Sequence, residues 1–82
     1  MKYTYITHGV CSRQIVLELE GTTIKEAAFI GGCHGNTQGI AALVKGMEAE
    51  DAIERLEGIN CGGRGTSCPD QLATALKEAL DL

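Results

Sequence analysis

Through about residue 30 the chain reads as short strands, with apolar and polar positions alternating most clearly from Gln14 to Glu20, and beyond Asn36 apolar residues recur at helical spacing in three segments. Lys2 to His8, rich in Tyr, Thr and Ile, reads as a first strand closed by Gly9. From Gln14 to Glu20, Ile15, Leu17 and Leu19 fall on one face and Gln14, Glu18 and Glu20 on the other, interrupted only by Val16. That is the pattern of a half-buried strand. Gly21-Thr22-Thr23 forms the next turn, and Ile24 to Ile30 a third strand that ends in Gly31-Gly32-Cys33-His34-Gly35-Asn36. Three short strands with tight turns predict an antiparallel meander.

After Asn36 or Thr37, either of which suits an N-cap, Ile40, Leu43, Val44 and Met47 predict a first helix up to about Gly46 or Met47. Ala49, Ala52, Ile53 and Leu56 predict a second, with Glu50 and Asp51 in its first turn, Asp51 and Arg55 one turn apart, and Gly58 ending it. Pro69 opens a third, running to about Asp81, which turns Leu72, Leu76, Ala79 and Leu80 toward the sheet. Proline is favoured at the first helical position, so Cys68 is expected as the N-cap, where the helix dipole favours an anionic sulfur. There is no linker, repeat or low-complexity tract. The expected architecture is a single α+β domain over residues 1–82, a three-stranded meander covered on one face by about three helices.

Composition sharpens this picture. A chain of 82 residues removes only about 60% of its unfolded surface from water. With two tyrosines, one phenylalanine and no tryptophan, its core is expected to be thin and built from aliphatic residues and alanine. Seven basic against eleven acidic side chains give a net charge of −4, and no cluster of Lys or Arg offers a footprint for nucleic acid. The N-terminal residues lack the apolar core of a signal peptide and no apolar run approaches a membrane span. The expectation is a cytosolic protein, in which paired cysteines point to metal or redox chemistry more than to structural disulfides.

The four cysteines are Cys11, Cys33, Cys61 and Cys68, with 21, 27 and 6 residues between successive members. This is not the short paired spacing of a zinc ribbon or finger. All four nevertheless fall at turns or element ends. If the second and third strands form a hairpin centred near Thr22, Cys11 and Cys33 are equidistant from its centre and lie opposite each other. Gly62, Gly63 and Gly65 let the loop between Cys61 and Cys68 fold tightly enough to aim both sulfurs at one point. Four thiolates about 2.3 Å from a tetrahedral Zn2+ form a closed structural site, a staple for a small domain with no position open for catalysis. The bland alternatives are buried free thiols and adventitious disulfides.

His34, beside Cys33, is a reserve ligand or a hydrogen-bond donor to a ligating sulfur. His8 is a weaker reserve. Arg64 is suited to offset thiolate charge or attract a phosphate, or is simply a solvated loop residue. No Gly-Lys-Ser or Gly-Lys-Thr follows the glycines, neither glycine-rich loop matches the dinucleotide fingerprint, and no Ser, His and carboxylate set stands at hydrolase spacing. No catalytic residue is assigned.

The run Thr66-Ser67-Cys68-Pro69-Asp70 spells the five letters of the TSCPD domain family, and the likeness extends over the whole chain. The sequence resembles the small stand-alone branch of that family, which carries four characteristic cysteines. That branch is related to a domain near the C-terminus of vitamin B12-dependent ribonucleotide reductases. The resemblance implies that Cys11, Cys33, Cys61 and Cys68 are the family's four cysteines, and that the partner is a ribonucleotide reductase or another protein. It does not imply reductase activity, since the chain is far too short for the catalytic barrel. A second resemblance is to iron-sulfur cluster scaffolds of the NifU and IscU type, whose ligand positions Cys11, Cys33 and Cys68 match in order, and it implies a similar fold. Those scaffolds carry Gly-Asp after their first cysteine, where Ser12-Arg13 stands here.

The leading expectation is therefore a non-catalytic module in which four thiolates hold zinc and lock the helix at Pro69 to the open end of the hairpin. The alternatives are an iron-sulfur carrier and a dithiol redox protein that passes electrons to a ribonucleoside-diphosphate reductase through Cys61 and Cys68.

Overall fold

The computed structural model describes residues 1–10, 12–31, 34–59 and 66–81, with backbone alone for 34–36. Its elements, in order, are β1 (Lys2–Ile6), β2 (Gln14–Glu20), β3 (Thr23–Ile30), α1 (His34–Val44), α2 (Ala49–Leu56) and α3 (Cys68–Leu80). The strands form one antiparallel sheet in the order β1-β2-β3, so the expected α+β meander is the observed fold.

The sheet is amphipathic because its side chains alternate. Tyr3 and Tyr5 on β1 stand opposite Leu17 and Ile15, which in turn stand opposite Ala27 and Phe29. Ile15 and Leu17 are fully buried on this face, with Leu19 and Ile24 beside them. Leu72, Ala73, Ala75 and Leu76 of α3 and Ala49, Ala52 and Ile53 of α2 complete the core, with Val44 from α1. One aromatic joins the aliphatics, since Tyr5 is only 8% exposed. The other face carries Thr4, Ile6, Glu18, Glu26 and Ile30, all exposed.

The β2–β3 hairpin has the register that its sequence implied. From Gln14↔Ile30 through Glu18↔Glu26 the paired positions are symmetric about residue 22. A bulge between Glu18 and Leu19 then shifts the pairing to Leu19↔Ile24 and Glu20↔Thr23, leaving Gly21 and Thr22 as a two-residue turn. Gly21 takes φ +61°, the left-handed conformation that a tight hairpin needs at this position.

Glu48 braces this turn. Its carboxylate accepts hydrogen bonds from Thr22 Oγ1 at 2.6 Å and Thr23 Oγ1 at 2.8 Å, and the Ala49 N–H donates to the Thr22 carbonyl. The same segment reaches the edge of β3, where the Ile24 N–H donates to Met47 O and the Gly46 N–H to Ile24 O. These bonds explain why α1 stops at Val44 rather than at Gly46 or Met47: the Gly46 N–H and the Met47 carbonyl are engaged by the sheet edge, and the Met47 N–H turns back to Val44 O. At its other end α1 starts at His34, so Asn36 and Thr37 are not its N-cap; Thr37 lies inside the helix and is buried. Leu43, expected on the apolar face, is 76% exposed and lines a shallow groove with Ile40, Val44, Met47 and Leu56.

β1 ends at Ile6, two residues short of the expected His8. Beyond Ile6 the chain leaves the sheet: the Thr7 N–H donates to Arg13 O, Thr7 Oγ1 donates to Ser12 O, and the His8 N–H donates to the Gln71 side chain on α3. Asp51 and Arg55 do not close into an ion pair. Among the described residues the ion pairs are Lys45–Glu26 and Lys77–Glu57, the second joining α3 to the end of α2. Also among the described residues, no helix is long and apolar enough to cross a membrane.

Two tests follow from this packing. Leu72→Ala, at a fully buried position, is expected to cost about 2–5 kcal/mol in urea unfolding, whereas Leu43→Ala stays within about 0.5 kcal/mol. Equal losses would mean that the core lies elsewhere. The hydroxyls of Thr22 and then Thr23 hold the Glu48 carboxyl below its ordinary pKa, so its contribution is present above the usual glutamate range and is lost as pH falls through the lowered value. Melting at a series of pH values should show Glu48→Gln less stable than the parent at neutral pH, with the gap closing in acid.

Candidate functional site

The site is built on the start of α3. A helix begins with backbone N–H groups that have no partner within it, and something outside must accept them. Here the N-cap is Ser67, not Cys68: Ser67 is extended, with φ −153° and ψ 170°, and its Oγ accepts from the Asp70 N–H at 3.1 Å. Serine is a far better cap than cysteine because its oxygen is a strong acceptor. Cys68 is thereby moved one place inward, to the first helical position, with Pro69 following it.

The Ser67 hydroxyl also donates to the Ile59 carbonyl at 2.6 Å, which ties the chain before the Cys61 loop to the chain after it. Asp70 adds a second tie. One carboxylate oxygen accepts from Thr66 Oγ1 at 2.5 Å and the other from the Gly58 N–H at 2.7 Å, joining the end of α2 to the first turn of α3. Thr66 Oγ1 in turn accepts from Gln71 Nε2 at 3.1 Å, and Gln71 Oε1 accepts the His8 N–H at 2.9 Å. Gly9, at φ +70°, passes close beneath: a Cβ there would lie 3.3 Å from Thr66 Cγ2. Thr66, Ser67 and Asp70 thus hold the backbone that presents Cys68, and Pro69 fixes the dihedral after it.

Cys68 is half-buried and is the one free cysteine among the described residues. Its Sγ lies 3.3 Å from Ser12 Oγ, and Ser12 is only 3% exposed. Cys11, Cys33 and Cys61, with the loop that carries Arg64 and with the His34 side chain, lie outside the described residues. Their described neighbours nevertheless meet at this end of the molecule. Ser12, next to Cys11, touches Cys68; the Arg13 N–H donates to Ile30 O at 2.7 Å, three positions before Cys33; Ile59, two before Cys61, is held by Ser67. His8 is exposed and meets the Tyr5 ring edge to face, with centroids 6.2 Å apart. Among the described residues no three His, Cys, Asp or Glu side chains are grouped as a metal site.

Ser67, Asp70 and Ser12 went unassigned in the sequence reading. Ser67 and Asp70 carried a signal, the Ser-x-x-Asp spacing of an N-cap whose first turn bears an acid. Ser12 and Gln71 carried none, because their roles depend on elements distant in sequence.

The fold and site define a small α+β module that presents a cysteine at a rigidly capped helix start. The model of the TSCPD domain matches residues 1–80, and the chain belongs to that family. No curated protein and no solved structure matches it, so the likeness to cluster scaffolds rests on the sequence alone.

The cap can be tested directly. Ser67→Ala removes an N-cap oxygen and the partner of the Ile59 carbonyl, and is expected to lower stability by about 1–2 kcal/mol. A urea midpoint equal to the parent's would show that the helix start is held by other means.

Proposed function

We propose that this domain is a metal-binding module in which Cys11, Cys33, Cys61 and Cys68 hold one zinc ion, and that it acts without catalysis as an accessory of a protein partner. The observation that carries the proposal is that Ser12, next to Cys11, touches Cys68 at the first turn of α3 and that Ser67 holds Ile59, two before Cys61, while the Arg13–Ile30 bond joins the strand ends that lead to Cys11 and Cys33. The donor chemistry fits. Thiolates are the preferred ligands of structural zinc, and four of them leave no open position at which a substrate could react. The hairpin register supports the pairing of Cys11 with Cys33, because its outer rungs are symmetric about residue 22 as far as Gln14↔Ile30.

Bound there, zinc would supply cross-links between segments that share few backbone bonds. The residues of this chain do the rest: Ser67 and Asp70 fix the direction of Cys68, and Gln71 joins the helix to the end of β1. The association with ribonucleotide reduction, and with the cytoplasm where that reaction runs, comes from the family's kinship with reductase domains and is part of the proposal.

Protein prepared without oxygen is expected to be colourless and to carry about one zinc per chain, or to take it up on reconstitution with reductant present. Cys68→Ser should lose the metal and, with it, cooperative unfolding. A brown protein with visible absorption would replace zinc by an iron-sulfur cluster. A metal-free protein in which Cys61 and Cys68 cycle between thiols and disulfide would overturn the metal reading in favour of redox chemistry.

A further inference from the structure

We infer that Ser12 is a positioning residue of the thiolate site, its hydroxyl donating a hydrogen bond to the sulfur of Cys68 when that sulfur holds a metal. The inference rests on the four-thiolate reading and deepens it. Ser12 Oγ lies 3.3 Å from Cys68 Sγ, in a residue 97% removed from solvent, since its exposure is 3%. A buried hydroxyl needs a partner, and among the described residues the partner of the Ser12 side chain is this sulfur.

With a thiol at Cys68 the bond can run in either direction. Ligation removes the choice. The thiol proton leaves to solvent, the sulfur keeps only lone pairs, and the serine O–H becomes the donor. The bond then does two things. It fixes the rotation of the Cys68 side chain, whose backbone the Ser67 cap already holds. It also draws charge from a sulfur that shares its ion with three other anions, lowering the repulsion among them. Outer partners of this kind orient ligands and tune the metal.

The position of Ser12 is itself fixed. Its carbonyl accepts from Thr7 Oγ1 at 2.5 Å, and the next amide, that of Arg13, donates to Ile30 O at 2.7 Å. The hydroxyl is therefore delivered by the start of β2 to a sulfur on α3. It follows Cys11 in the chain, so two successive residues would carry both a ligand and the support for another ligand, Cys68, which lies 57 positions after Cys11.

The test uses the full chain loaded with Co2+, whose thiolate charge-transfer band reports on the sulfur lone pairs. Ser12→Ala is expected to weaken cobalt and zinc affinity by about 10- to 100-fold and to move the band to longer wavelength, because a sulfur relieved of its hydrogen bond gives up charge more readily. Ser12→Thr should restore both. A purely structural role would lower apo-protein stability without moving the band. If Ser12→Ala does not fold, Ser12→Thr compared with Ser12→Val reads the same hydroxyl at matched shape. Parent protein that binds cobalt through thiolates, with Ser12→Ala equal to it in affinity and band position, overturns the inference and leaves the zinc site standing. Parent protein that takes up no cobalt or zinc overturns the zinc site and the inference together.

Discussion

The structure depends on the cap of α3. Ser67 satisfies a helix N–H with one side of its oxygen and gives its proton to Ile59 with the other, so a single buried hydroxyl fixes both the helix start and the backbone at Ile59. An exposed N-cap loses little by exchanging its partner for water; this one is 3% exposed and has no such option. Asp70 makes the arrangement two-armed, with one oxygen on Thr66 and the other on Gly58. Negative charge in the first turn is also favoured by the helix dipole. The ends of the segment 60–65 are thereby held in place by bonds that do not involve the segment itself.

That rigidity matters because the hydrophobic core is small and one-sided. The sheet buries Ile15, Leu17, Leu19 and Ile24 beneath the helical layer, while Ile6 and Ile30 on the other face are exposed. A three-stranded sheet with one wet face gains stability from one layer of side chains only. The helical layer in turn leans on α3, where Leu72, Ala73, Ala75 and Leu76 are all buried, while α1 contributes Val44 and leaves Leu43 in solvent. Anything that loosens α3 at its first turn loosens the layer that closes the core.

Much of this was legible in the chain. The strand β2 and the helix α2 follow from alternation and spacing because their apolar faces are regular, β3 follows from the turns that bound it, and the hairpin centre follows from Gly21-Thr22 between the two strands. What failed to show was whatever depends on a distant partner. α1 ends early because Gly46 and Met47 bond Ile24, and β1 ends early because His8 bonds Gln71. Proline bias placed Cys68 at the cap, but the hydroxyl beside it won, an outcome that acceptor strength would have favoured at the outset. For the site, the motif identified Cys68 and its setting, whereas the contact with Ser12 required the fold. Cys11, Cys33 and Cys61 fall outside the described residues, so for them the sequence expectation stands on its neighbours alone.

The two ends of the hairpin are secured by different chemistry, and this difference bears on what the cysteines are for. At the turn end, the Glu48 carboxylate, two threonine hydroxyls and the backbone bonds of Ile24 and Ala49 hold β2 and β3 to the start of α2 without any further group. At the open end, the described bonds that join the hairpin to α3 run through single side chains, Ser12 to Cys68, with Gln71 to His8 beside it. Each such bond is worth about 1 kcal/mol net. An ion gripped by several thiolates supplies stability of a different order at a single point. The ion proposed for the cysteines would add its cross-link at this open end, where Ser12, next to Cys11, is bonded to Cys68 and Ile59, two before Cys61, is bonded to Ser67.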